Sequence, residues 1–181
     1  MLVNTPKVSL GWKASEFTLP DPDGNMHSLK DMQGQNGLLI AFICNHCPYV
    51  VAVGQRFSDD ARILQSEGIN VVAINSNDFT KYTADSPDKM KPFAQQYGFT
   101  FPYLVDEDQS VARNYDAVCT PDFFGFNKHG ELQYRGRLDN TRMENDTNRV
   151  PELLNAMCLI AETDKGPDEQ PASMGCSIKW R

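Results

Sequence analysis

Leu38-Leu39-Ile40-Ala41-Phe42-Ile43-Cys44-Asn45-His46-Cys47-Pro48 is the stretch on which the fold reading turns. Its first six residues are apolar and are bounded by Gly37 and Cys44. An unbroken apolar run that short fits a central strand covered on both faces. Pro48 stands where a helix begins, because its fixed φ suits the first helical position and its missing N–H costs nothing there. Val50, Val53, Phe57, Ala61 and Leu64 then recur at helical spacing until Gly68 stops the pattern. The two cysteines therefore form a C-x-x-C at a strand-to-helix junction, a context that favours redox chemistry.

Outward from this unit, Ile69 to Ile74 reads as a second buried strand. Ser86-Pro87 opens another helix with Ser86 as N-cap, its apolar stripe being Met90, Phe93, Ala94 and Tyr97 before Gly98. Tyr103 to Val105 is a short strand and Ser110 to Tyr115 a short helix. Asp122 to Phe126 and Glu131 to Arg135 flank Asn127-Lys128-His129-Gly130 as a β-hairpin. Val150, Leu153, Leu154, Met157, Cys158 and Ala161 make the apolar face of a last helix. Upstream, Glu16 to Leu19, a turn at Asp21-Pro22-Asp23-Gly24-Asn25 and Met26 to Leu29 form a small hairpin. Strand–helix alternation followed by a hairpin predicts an α/β fold: a central mixed β-sheet flanked by helices, with an N-terminal β-hairpin extension. Residues 1–162 read as a single domain, and 163–181 as a polar tail, rich in Pro and Gly, packed on or near it.

The 181 residues are 40% apolar and 23% charged, as in ordinary globular chains, with a formal net charge of −7. That charge, with no run of Lys or Arg, argues against nucleic acid and anionic membrane as partners. Met1 to Glu16 holds no apolar stretch of signal-peptide length, so the expected location is cytoplasmic. Five cysteines, an odd count, argue against a pure disulfide framework.

Each cysteine has its own reading. Cys47, just before Pro48, is the helix N-cap, where unpaired backbone N–H groups and the helix dipole favour thiolate. The competing reading of the pair, half of a zinc site, lacks a second C-x-x-C or H-x-x-x-H. His46 between them favours thiolate as imidazolium, binds metal as imidazole, or is a plain loop residue. Cys158 lies on an apolar stripe, where a free cysteine acts as a small hydrophobe. Cys119 precedes Thr120-Pro121, and X-Pro is the ordinary place for a cis bond. Cys176 lies in the tail. Cys44 and Cys47 are thus the catalytic candidates, with His46, Cys119 and Cys176 as auxiliaries.

From about Gly11 to Trp180 the chain resembles the thioredoxin superfamily, in its peroxiredoxin-like (AhpC/TSA-like, redoxin) branch. The resemblance is carried by Ala14-Ser15-Glu16-Phe17-Thr18-Leu19, Phe42-Ile43-Cys44-Asn45-His46-Cys47-Pro48-Tyr49-Val50, Cys119-Thr120-Pro121-Asp122 and Met174-Gly175-Cys176-Ser177-Ile178-Lys179-Trp180. It implies a thioredoxin-like fold in which Pro121 is a cis-proline beside the active-site cysteines and Thr120 offers backbone groups to a bound partner. Counting from Phe42 places Cys47 at the thioredoxin nucleophile position, with Val50 at the second-cysteine position and Ala41 where thioredoxins carry a buried aspartate. Against peroxiredoxins, Cys47-Pro48 matches, but Cys44 replaces the active-site threonine and no arginine stands near Thr120-Pro121 in sequence.

These features lead to a thiol–disulfide oxidoreductase, or peroxiredoxin-like antioxidant protein, in which Cys47 attacks and Cys44 resolves. Its partners are a protein disulfide, a small disulfide or a peroxide, together with a thiol reductant, and no cofactor is called for. One alternative is a slow thiol peroxidase with Cys44, Cys119 or Cys176 resolving. Another is a non-enzymatic copper- or zinc-binding protein using Cys44, Cys47 and His129.

Overall fold

The computed structural model describes all 181 residues. In chain order the strands are β1 (Leu2–Asn4), β2 (Thr18–Pro20), β3 (Met26–Ser28), β4 (Gly37–Phe42), β5 (Ile69–Asn75), β6 (Tyr103–Val105), β7 (Cys119–Thr120), β8 (Asp122–Phe126), β9 (Leu132–Gly136) and β10 (Met174–Ser177). The helices are α1 (Leu29–Met32), α2 (Pro48–Ser66), α3 (Pro87–Tyr97), α4 (Ser110–Asn114) and α5 (Glu152–Thr163).

Five strands form the main sheet in the order β6-β5-β4-β8-β9. β4 runs parallel to β5, from Gly37↔Ile69 to Phe42↔Ile74, and antiparallel to β8, from Leu38↔Phe126 to Phe42↔Asp122. The sheet is mixed, as expected. Successive β4 side chains point to opposite faces. Leu39, Ala41 and Ile43 join a core built with α2, α3 and α5, while Leu38, Ile40 and Phe42 join a second core closed by Leu29 of α1 and Val111 and Ala112 of α4. This two-sided burial explains the unbroken apolar run in the sequence.

α2 buries Val50, Val53, Phe57, Ala61 and Leu64, the stripe read from its spacing. Phe57 is its anchor, with ring centroids 5.1 Å from Phe101 and 5.4 Å from Phe123. The β2–β3 hairpin is present, but its return strand stops at Ser28. Ser28 instead caps α1: its Oγ accepts from Asp31 N at 3.2 Å, and the Asp31 carboxylate accepts from Ser28 N. Ser86 occupies the N-cap of α3 without a side-chain cap bond, because its hydroxyl bonds the Thr83 carbonyl and Asp88 instead. Val150 lies ahead of α5 and is exposed, so it is not part of that helix's buried face.

The chain after α5 supplies a strand that composition did not suggest. β10 lies between β1 and β7 in a second, antiparallel sheet, with Cys176 opposite both Leu2 and Thr120. Beyond it, Lys179 N donates to Asn77 Oδ1 at 2.8 Å, Asp78 N donates to the Lys179 carbonyl at 2.8 Å, and Arg181 N donates to Gln109 Oε1. The segment is short and rich in turn-forming residues, so its strand comes from tertiary pairing rather than local preference.

Candidate active site

β4 delivers the cysteines to the end of the sheet where open α/β folds hold their sites. Pairing with β5 continues one residue past the strand, Ile43 N donating to the Ile74 carbonyl at 3.0 Å. The loop then turns into α2, with Cys44 1% and Cys47 0% exposed. Asn45 fixes the turn: its N–H donates to Asp85 Oδ1 at 2.8 Å, its amide to the Ala84 carbonyl at 3.0 Å, and it accepts from the Tyr103 hydroxyl.

Cys47 is the N-cap of α2 with Pro48 at the first helical position, but no first-turn N–H makes a cap bond to its sulfur. The Val50 N–H bonds the Cys47 carbonyl at 3.0 Å and reaches the sulfur only as a favourable dipole. The stronger influences come from elsewhere. A hydrogen bond from the Cys44 thiol is the largest, and burial opposes it. The Cys176 thiol and backbone N–H add further donors, and the Cys47 pKa is lowered to about 4. When protonated, Cys47 donates to the Thr120 carbonyl 3.1 Å away. That acceptor favours the thiol and works against the groups that lower the Cys47 pKa. Cys44 moves the opposite way, well above the ordinary thiol value: it must keep its proton to donate to Cys47, it is buried, and the Asp85 charge lies near. The Thr120 hydroxyl, 3.4 Å from Cys44 Sγ, works weakly against this.

Asp85 is the site residue that sequence reasoning missed. It sits in a 3₁₀ turn, Thr83–Asp85, with its carboxylate wholly buried. Besides Asn45, it accepts from Asn77 Nδ2 at 2.8 Å, and its Oδ2 lies 2.7 Å from His46 Nδ1. This close contact lacks hydrogen-bond geometry and leaves Nδ1 without a directed partner. The His46 ring stacks on Tyr82 at a 6° interplanar angle, centroids 5.8 Å apart. Ala41 leaves β4 without a carboxylate, as the sequence indicates, and Asp85 brings one to Cys44 from another element. Ligand atoms of Cys44, His46 and Asp85 all lie within 4.8 Å of one another, close enough to converge on one cation, although Asp85 is already engaged by Asn45 and Asn77.

Thr120-Pro121 is cis. Phe42↔Asp122 pairing brings it to the cysteine end of β4, and Thr120 touches both sulfurs. The backbone that the resemblance reserves for a partner is occupied here by the chain itself, since β10 pairs with β7 across Thr120. Gly175 permits the close approach: a Cβ there would overlap the Thr120 carbonyl. Cys176, half-buried and packed against the core that holds Cys47, has its own pKa pushed up to about 11 by burial and by the neighbouring Cys47.

The remaining candidates separate. Cys119 is wholly buried, its thiol 3.6 Å from the Pro121 carbonyl, and burial pushes its pKa far up. Cys158 is half-buried on α5 against the core. His129 does not join the cysteines: it lies in the β8–β9 turn, 3.6 Å from Asp164, and the β4/β8 register puts that turn at the Leu38 end of the sheet. The Cys44–Cys47–His129 metal set is therefore not assembled. Arginine also differs from expectation, because Arg137 and Arg142 line a small cavity with Pro121, Tyr49 and Met174. Arg137 is bound to Glu152 by two bonds of 2.6 and 2.8 Å. Arg135 is likewise held by Asp122, at 2.8 Å, and lies over the Phe124 ring in the second core. No helix is long and apolar enough to cross a membrane.

A C-x-x-C at a strand–helix junction, facing a cis-proline on a mixed five-stranded sheet, defines a thioredoxin-like redox protein. The chain belongs to the AhpC/TSA family, whose family model matches residues 10–135. The structure is similar to that of a conserved protein of Geobacillus kaustophilus, with a TM-score of 0.94 and 40% identity over all of this chain and 97% of that one. Escherichia coli peroxiredoxin Bcp is 29% identical over 112 residues, 62% of this chain and 67% of Bcp. The thiol-disulfide oxidoreductase ResA of Geobacillus kaustophilus is 25% identical over 126 residues, 70% of this chain and 68% of ResA.

Proposed function

We propose that the protein is a thiol-based oxidoreductase in which Cys47 is the nucleophile and Cys44 the resolving thiol. The observation that carries this reading is the place of Cys47, at the start of α2 and against Thr120 of the cis Thr120-Pro121 bond, in surroundings that lower its pKa while those of Cys44 raise it. The Cys47 thiolate attacks one sulfur of a disulfide, expelling the other as a thiolate and leaving a mixed disulfide. Cys44 loses its proton to the thiolate expelled in the first step and attacks the Cys47 sulfur. This releases the second half of the substrate as a thiolate and closes a Cys44–Cys47 disulfide. An external thiol reductant completes the cycle.

Burial of both sulfurs favours small oxidants over protein disulfides. The same burial supports a second reading, with peroxide as oxidant. The Cys47 thiolate attacks one peroxide oxygen, the O–O bond breaks and the other oxygen leaves as water or alcohol. Cys44 then attacks the sulfur of the resulting sulfenic acid and displaces its oxygen as water. Cys44 stands where peroxiredoxins carry their threonine, and Arg135 and Arg137 are committed to carboxylates. Preorganised donors of that kind are worth about 2.7–4 kcal/mol each, so peroxide turnover is slow on this account.

Trapping tests the reading. Cys44→Ser/Cys176→Ser incubated with glutathione disulfide should accumulate a mixed disulfide on Cys47, found by peptide mass. A mixed disulfide on Cys119 or Cys158 instead, with Cys47 unmodified, would contradict it.

A further inference from the structure

Cys176 poses a question that the Cys44–Cys47 pair does not answer. Both sulfurs of that pair are buried, so a disulfide between them is hindered against attack by an external reductant. The thiol beside Cys47 that does reach the surface is Cys176. It arrives on a strand laid antiparallel across Thr120, in register with the residue whose carbonyl and hydroxyl face Cys47 and Cys44. Gly175 lets that strand approach the Thr120 backbone, and the ties of Lys179 and Arg181 anchor its C-terminal end to Asn77 and Gln109. β10 therefore occupies the groove that a peptide substrate would need, and presents a cysteine to Cys47 as such a peptide would.

Building on the assignment of Cys47 as nucleophile, we propose that β10 is a built-in partner strand and that Cys176 is the thiol through which external reductants reach the buried pair. In the first step the Cys176 thiol gives up its proton and attacks the Cys47 sulfur of the Cys44–Cys47 disulfide. Cys44 leaves and takes a proton, so one disulfide replaces another with no net change in electrons. In the second step a reductant thiolate attacks the Cys176 sulfur of the Cys47–Cys176 disulfide and Cys47 leaves. A second reductant thiolate then attacks the reductant's sulfur in the mixed disulfide on Cys176. The products are the oxidised reductant and Cys176, which regains its proton.

The direction of the second step is set by two asymmetries. Cys176 is the accessible sulfur, and Cys47 is the better leaving group because its thiolate is stabilised while that of Cys176 is not. Attack at Cys176 therefore expels the more stable anion. Cys119 cannot replace it, since it is wholly buried and follows the opposite alternation on β7.

The test uses the oxidised full chain, with glutathione as the reductant, in wild type, Cys176→Ser, Cys176→Ala and Cys158→Ser. Both Cys176 variants should still form the Cys44–Cys47 disulfide, yet regain free thiols roughly tenfold or more slowly, because attack must then occur at a buried sulfur. Cys158→Ser should match wild type. Disulfide mapping of partly reduced wild type should find Cys47–Cys176, which should also be the main product of oxidising Cys44→Ser. Wild-type reduction rates in both Cys176 variants, or absence of the Cys47–Cys176 linkage from Cys44→Ser, would overturn the relay while leaving Cys47 as nucleophile. If Cys47→Ser instead reacts with oxidant as readily as wild type, the nucleophile assignment itself fails.

Discussion

The carboxylate of Asp85 reaches within 2.7 Å of the His46 imidazole, while its charge bears on Cys44. A buried carboxylate next to a thiol disfavours the thiolate, and here it adds to the effects of the hydrogen bond to Cys47 and of burial. Asp85→Asn keeps the shape and the acceptor for Asn45 but removes the charge. In a Cys47→Ser background, the Cys44 thiol should then ionise at lower pH than with Asp85 in place. The pH dependence of Cys44 alkylation, followed by peptide mass, checks this. An unchanged profile would show that the carboxylate does not act on Cys44.

Thr120 contributes two different groups, and a substitution can separate them. Thr120→Val removes the hydroxyl that faces Cys44 at 3.4 Å and keeps the carbonyl that faces Cys47. Cys44 loses a group that eases its ionisation, so closure of the Cys44–Cys47 disulfide should slow. The first attack by Cys47 should keep its rate. Stopped-flow alkylation and disulfide-closure rates, measured side by side, give the comparison.

Gly175→Ala tests the cover over the site. The new methyl group cannot coexist with the Thr120 carbonyl where it stands, so β10 must lift. Cys47 should then react faster with a bulky maleimide, while iodoacetamide gains less. If the two reagents change in equal proportion, β10 is not what shields the sulfur.

Asp139 anchors the region behind the site. Its buried carboxylate accepts from Arg56 at 2.8 Å and from Arg149 at 2.7 Å, and Arg149 also holds Asp60. Removing one partner of a buried ion pair leaves charge uncompensated, at a cost of about 3–5 kcal/mol. Asp139→Ala should lose about that much stability in urea unfolding. A loss under ~1 kcal/mol would mean that solvent already shares the network, as it does for exposed pairs.

The sequence made the scaffold of the site legible, because local signals and tertiary demands coincide there. Leu38 to Phe42 is apolar since both of its faces are covered, and Pro48 opens α2 where its missing N–H is harmless. The cis Thr120-Pro121 bond was expected from resemblance rather than from spacing. Two features stayed hidden for one reason: each acquires its role only through distant contacts. Asp85 is an acidic residue just before a Ser-Pro helix start, ordinary in sequence, and meets His46 and Asn45 only after folding. β10 is four residues inside a polar tail and is a strand only because β1 and β7 flank it. The capping argument for Cys47 names only part of its surroundings, since no first-turn N–H caps its sulfur and Cys44 and Cys176 lie beside it.

The identity of the attacking thiol is decided by alkylation across pH, with the modified cysteine identified by peptide mass. In wild type and in Cys44→Ser, where the serine hydroxyl can still donate to the neighbouring sulfur, Cys47 should react with iodoacetamide well below pH ~8.5, the value of a free cysteine. Its rate should stay nearly level down to about pH 5 and fall as the pH approaches about 4, where the thiolate takes up a proton. In Cys47→Ser no remaining thiol should react in that range, because Cys44, Cys119, Cys158 and Cys176 are all shifted upward. A fast, low-pH thiol that persists in Cys47→Ser and maps to Cys44 would reverse the assignment.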